Sequence, residues 1–192
     1  MRTKFLLPLL LVAVLPASAQ FRYGVRLGGD INTSALNKDG YSLGHVSGFS
    51  GGLTCEYQLA TNGLAFDASL LYTRMGVILK QQERAWRMGN DFLQLPVHVK
   101  YKFPVKAWKQ LAGPFVYTGP SILLRLDSDA PDAPFTTPRW QPGWEVGAGF
   151  NIIDFLQISA GYRFGLNHTF PHSGLKTRSD AVNISVSILF DI

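Results

Sequence analysis

Cysteine is almost missing from this chain of 192 residues. Cys55 stands alone, so no internal disulfide can staple the fold. Long apolar runs are missing too: past the N-terminus none approaches the ~18 residues of a membrane-spanning helix. No block of lysine and arginine and no basic helix occurs, so a formal charge of +5 is weak support for a nucleic-acid partner, and none is assigned. No segment sustains a helical period or a solenoid-type repeat. The glycines of "GWEVGAG" come without a phosphate-loop lysine or a following helix, which excludes a nucleotide site. His45 and His98 lack partners at metal-ligand spacing.

The N-terminus carries a different signal. Arg2 and Lys4 precede an apolar run from Phe5 to Leu15, and Ala17-Ser18-Ala19 has the small-residue pattern of a cleavage site. Residues 1–19 therefore read as a secretory signal peptide, leaving one mature domain over 20–192. Losing Arg2 and Lys4 lowers the charge to about +3.

Most of that domain alternates at period two, the pattern of β-strands with one apolar face. In "LQLPVHVKYKF", Leu93, Leu95, Val97, Val99, Tyr101 and Phe103 form one row and Gln94, Pro96, His98, Lys100 and Lys102 the other. The same pattern runs from Phe21 to Ile31, Val46 to Leu59, Leu64 to Val77, Trp144 to Asn151, Leu156 to Gly165 and Val182 to Phe190. Between Ala112 and Leu126 the phase changes: Phe115 and Tyr117 sit in the apolar row, whereas Ile122, Leu124 and Leu126 continue one step out. A bulge near Gly119-Pro120 is expected to restore the facing. A second is expected at Pro96, because proline gives no N–H to a ladder.

Connections alternate as well. "NTSALNKDGYSLGH", "LKQQERAWRMGN", "DSDAPDAPFTTPRWQP" and "NHTFPHSGLKTRSD" are long and polar, while "TNG" and "IID" are tight; Asn62-Gly63 suits a type I′ hairpin. Long loops at one end and short turns at the other are the asymmetry of an outer-membrane barrel. The apolar rows place Phe21, Tyr23, Tyr57, Tyr101, Phe103 and Phe155 near the short-turn end, as an interfacial girdle. The opposite rows are rich in glycine and serine with scattered charges. These features predict an all-β, eight-stranded antiparallel up-and-down barrel, apolar side to lipid and polar side to a lumen that side chains fill.

The segments "LQLPVHVKYKF", "YTGPSILL", "WEVGAGFNI" and "AGYRFGLN", following an alanine-glutamine signal end, resemble the PorT-like outer-membrane β-barrel family of Bacteroidetes. The resemblance covers most of the mature chain. It implies an outer-membrane location in a Gram-negative bacterium, with Pro96, Gly119 and Pro120 as architectural landmarks. It implies little about activity. One departure is the C-terminus: many such barrels end on an aromatic residue, and here Asp191-Ile192 follows Phe190.

The loops hold the residues closest to catalytic chemistry. His168, His172 and Ser173 share the last one, and Asp127, Asp129 and Asp132 the third. Such groups can support hydrolysis, but their spacing matches no motif, and loops are ordinarily rich in them. No catalytic, cofactor or metal residue is assigned and the chain reads as a non-enzyme, its partners being outer-membrane lipid and envelope proteins met through the loops, alone or within a secretion, gliding or transport assembly.

The interior is where the charges meet. A turn centred on Asp154 sets Phe150 opposite Ile158 and Glu145 opposite Arg163. Glu56, Asp67, Arg26, His98, Lys100 and Lys102 should share the lumen toward the short-turn end. Such a chain should fractionate with the outer membrane and shift in gel mobility on boiling, whereas recovery as a soluble monomer contradicts the reading.

Overall fold

In the computed structural model the described residues are 20–32, 37–38, 41–44, 47–59, 63–81, 84–104, 113–129, 139–166 and 180–191. The signal segment 1–19 lies outside them. Period-two apolarity becomes strand throughout: β1 (Gln20–Asn32), β2 (Asn37–Lys38), β3 (Tyr41–Gly44), β4 (Ser47–Gln58), β5 (Leu64–Gln81), β6 (Arg84–Lys102), β7 (Gly113–Asp129), β8 (Trp140–Ile153), β9 (Leu156–Gly165) and β10 (Ala181–Asp191). Eight of them close on themselves, in the order β5-β4-β1-β10-β9-β8-β7-β6 and back to β5. Every pairing is antiparallel. Closure gives each of these eight strands a neighbour on both sides and leaves the barrel wall no edge.

Exposure decides which face is which. On β6, Val97 is 50 % exposed and its neighbour His98 2 %; on β4, Leu53 is 64 % exposed and Glu56 1 %. The apolar rows form the outer surface and the polar rows the interior, the reverse of a soluble sandwich. Tyr23 with Phe190 and Tyr101 with Phe103 form aromatic pairs on the outer surface near the short-turn end. Gly63, between β4 and β5, has φ +70°. Its left-handed conformation suits glycine, and a Cβ there would sit 2.2 Å from the Lys102 carbonyl oxygen.

Three expectations are corrected. No bulge forms at Pro96: β5 pairs Ala68 with Val97 and Leu71 with Gln94 at one constant offset, with the two rungs between them missing. The proline deletes hydrogen bonds without inserting a residue, and the facing survives. No bulge forms at Gly119-Pro120 either, since Ser121 opposite Pro96 and Thr118 opposite Val99 keep the same register. Phe115 and Tyr117 point inward instead, 1 % and 8 % exposed, so β7 keeps one phase from Phe115 to Arg125. Space explains it: a Cβ on Gly149 would lie 2.5 Å from Phe115 Cζ, and one on Gly147 2.4 Å from Tyr117 Cζ. Glycines on β8 make room for aromatics on β7. The β6–β7 ladder shifts between Asp91 and Phe92, where Leu126 is the extra residue.

The third correction concerns "LKQQERAWRMGN". It is mostly strand: β5 and β6 continue their ladder to Gln81 opposite Arg84, because strands leaving the lipid satisfy their backbone groups as readily by pairing on as by looping. Within the first long connection, β3 pairs with residues 78–81 of β5, and β2 pairs with β3. A sheet of four strands thus stands beyond the barrel at the long-loop end.

If the outer face of β6 meets hydrocarbon, Val97→Arg should destabilise the folded barrel by about 2–4 kcal/mol in lipid. Equilibrium unfolding from vesicles measures this, and an effect no larger than that of a loop substitution would contradict the assignment.

Candidate functional site

The interior supplies the only constellation of chemistry-bearing side chains among the described residues. Its framework is one row of directly opposite residues that winds across neighbouring strands. Asp191 faces Arg22, Arg22 faces Glu56, Glu56 faces Asp67, and Asp67 faces His98. On the far side of β7 the row resumes with Gly119 opposite Glu145 and Glu145 opposite Arg163. The register anticipated from the Asp154 turn is the observed one, including Phe150 opposite Ile158.

Like charges directly opposite each other destabilise a sheet, and the row sets Glu56 beside Asp67. Lys100 resolves the conflict. Its Nζ lies 3.1 Å from Glu56 Oε2 and 2.6 Å from Asp67 Oδ2, donates to Gln157 Oε1, and sits 5.1 Å from the Phe115 ring centroid. Glu56 is further engaged by Lys102, by Arg22 at 3.7 Å and by the Gln157 amide. Arg26 donates to Asp67 at 2.9 Å and to Ser187 at 3.0 Å. All six residues expected in the lumen are there, buried and linked.

His98 joins the two halves. Nδ1 lies 2.8 Å from Asp67 Oδ1 and Nε2 3.0 Å from Glu145 Oε2, while the ring packs at 4.7 Å on Tyr117. Reaching Glu145 means crossing β7, and Gly119 occupies the place to be crossed. A Cβ on Gly119 would meet the Val97 carbonyl oxygen at 2.0 Å and His98 Cα at 2.9 Å. The glycine is therefore a gap that lets a side chain on β6 bond one on β8. Glu145 also accepts from Gln94, which accepts from Thr73. Arg163 keeps its register opposite Glu145, but its guanidinium reaches Met75 Sδ at 3.7 Å. Arg163 still attracts the Glu145 carboxylate through space, but the direct bonds to that carboxylate come from His98 and Gln94.

Toward the long-loop end the lumen changes character. Met75, Phe92 and Leu123 form a buried apolar cluster, and Asp30 with Asn183 lies on the wall of β1 and β10. Side chains fill the bore from both halves, as eight strands allow.

Of the loop candidates, His45, His168, His172, Ser173 and Asp132 lie outside the described residues, and Asp127 and Asp129 fall at the C-terminal end of β7. Among the described residues no group of His, Cys, Asp and Glu could hold a metal ion. Sequence reasoning set Gln94 and Gln157 in the inward rows but did not count them in the charge network that they join. It also misplaced Phe115 and Tyr117, for which the glycines of β8 and β9 were the signal.

A carboxylate shared by His98 and Gln94 strands both when lost, so Glu145→Ala should cost on the order of 3 kcal/mol. Adding His98→Ala should cost clearly less than the sum of the single effects, and Arg163→Ala should couple more weakly. Gly119→Ala should cost about 1–3 kcal/mol through overpacking. Thermal unfolding in detergent checks all of these, and strict additivity of Glu145 with His98 would contradict the bridge.

No curated protein matches the chain in sequence. Among solved structures, Neisserial surface protein A (NspA) is similar with a TM-score of 0.53 at 17 % identity, over 90 % of this chain and 99 % of that one. The outer membrane protein OprG from Pseudomonas aeruginosa is similar with a TM-score of 0.53 at 13 % identity, over 89 % of this chain and 92 % of that one. At such identities the likeness shows the fold. The sequence itself matches the outer membrane protein beta-barrel domain family over residues 16–171, more than half of the chain. The winding row of charges is therefore the inside of an outer-membrane barrel, and the chain belongs to the outer membrane protein beta-barrel domain family.

Proposed function

We propose that this protein is a sealed, non-enzymatic outer-membrane barrel whose role is interaction: the wall is anchored in lipid and the long-loop end meets other envelope proteins. The observation that carries this reading is the filled bore. Lys100, His98, Glu56, Phe115 and Leu123 are all at most 2 % exposed, and Met75, Phe92 and Leu123 add a buried apolar cluster on β5, β6 and β7 toward the long-loop end. A wall without a passage leaves the ends as the working surfaces. Within the family we place the chain in the PorT-like branch on the strength of its Pro96 strand and its Gly119-Pro120 pair, and residues 1–19 act as its cleaved signal.

A second reading, membership in a secretion, gliding or transport assembly, is favoured by one feature. The ladder of β5 and β6, extended by β3 and β2, projects a sheet beyond the barrel, which is more built surface than an anchor requires. A complex of fixed stoichiometry that survives mild detergent favours the assembly, and partners recovered only after cross-linking favour the first reading.

The sealed barrel should give no steady conductance steps in planar bilayers, and discrete openings would overturn it. An even strand count returns the chain to its starting side. An epitope inserted near Ala130 should accordingly bind antibody on intact cells, whereas one placed after Gln20 should not, and the reverse labelling would invert the orientation.

A further inference from the structure

Closing a barrel requires the first and last strands to find one register out of several, and beyond the Tyr23–Phe190 ring contact the lipid side of this seam offers little help. Its outward pairs are Tyr23–Phe190, Val25–Ile188, Leu27–Val186, Gly29–Ile184 and Ile31–Val182. A slip of two residues exchanges one apolar pair for another and keeps every facing, and hydrocarbon hardly distinguishes among them.

The lumen side differs. Each charged residue of β1 contacts the residue directly opposite it on β10. Arg22 Nε is 2.8 Å from Asp191 Oδ1, Arg26 Nε donates to Ser187 Oγ at 3.0 Å, and Asn183 Nδ2 donates to Asp30 Oδ1 at 3.0 Å. Between the first two contacts, Leu189, 2 % exposed, lies opposite Gly24. A Cβ at that glycine would fall 1.7 Å from the Ile188 carbonyl oxygen. Sliding β10 by two residues one way puts Arg22 opposite Leu189 and Asp30 opposite Ala181; sliding it the other way puts Arg26 opposite Leu189. In either case a buried charge faces an apolar side chain, which is costly in a dry interior.

We infer that the register of barrel closure is selected by this inward row, in which Arg22, Gly24, Arg26 and Asp30 on β1 read Asp191, Leu189, Ser187 and Asn183 on β10. The seam is a polar latch with a single fitting position. Asp191, next to Phe190 on β10, supplies its carboxylate to the latch.

The Asp30–Asn183 contact gives the cleanest test, because exchanging its two side chains keeps size and shape. Folding of full-length protein into phosphatidylcholine vesicles is read by heat-modifiability. Register is read by cysteine cross-linking in a Cys55→Ser background. The pair Val25→Cys with Ile188→Cys reports the observed register, and Val25→Cys with Val186→Cys reports a slip of two. Asn183→Asp sets two carboxylates face to face, and should lower the folded yield or the first cross-link several-fold. Adding Asp30→Asn should restore both. If Asn183→Asp folds and cross-links as the parent does, or if Asp30→Asn fails to rescue it, the latch does not select the register.

Discussion

Hydrocarbon offers no water to a peptide group, so every N–H and C=O within the lipid must find its partner in the wall. That single constraint dictates closure of the eight-stranded sheet, and closure dictates most of the remaining architecture. A closed small barrel has an inside that cannot be avoided, with a volume that side chains must fill and a polarity that they must balance. The lipid-facing rows need only be apolar. The information that distinguishes this barrel from another lies in the inward rows.

Two devices satisfy the inside. One is complementarity of size across neighbouring strands: Phe115 and Tyr117 on β7 occupy space left by Gly147, Gly149 and Gly161 on β8 and β9. The other is a charge row that follows the ladder around the wall, with Lys100 separating two carboxylates and His98 reaching across Gly119. Each device depends on the other. The aromatics flank Lys100 and His98 and keep water from them, which strengthens each ionic contact. The same packing buries the charged side chains of the lumen.

Legibility followed the chemistry of each strand. On β6 the contrast between Val97 and His98, or Val99 and Lys100, is so strong that strand, facing and neighbour class were readable despite Pro96. On β8 and β9 a tight turn at Asp154 was enough to number the register across the pair. On β7 the reading failed, because an inward aromatic and an outward aromatic look alike in one strand. Only the glycines of the next strand tell them apart, and that relation is three-dimensional. The bridge from His98 to Glu145 was hidden for the same reason: it joins strands that are not neighbours. The extension of β5 and β6 was hidden by composition, since polar residues outside lipid mark loop and projecting strand alike.

One face of each strand meets lipid and the other a packed, closed interior. Spin labels placed singly from Phe92 to Phe103 on β6, in protein reconstituted into vesicles, test this division most directly. Labels at Leu93, Leu95, Val97, Val99 and Tyr101 should collide freely with dissolved oxygen, and labels at Gln94, His98 and Lys100 in variants that still fold should be immobile and reached by neither oxygen nor a water-soluble nickel chelate. Access of the chelate to the second set would reveal an open aqueous bore, and oxygen access in the opposite phase would turn the barrel inside out.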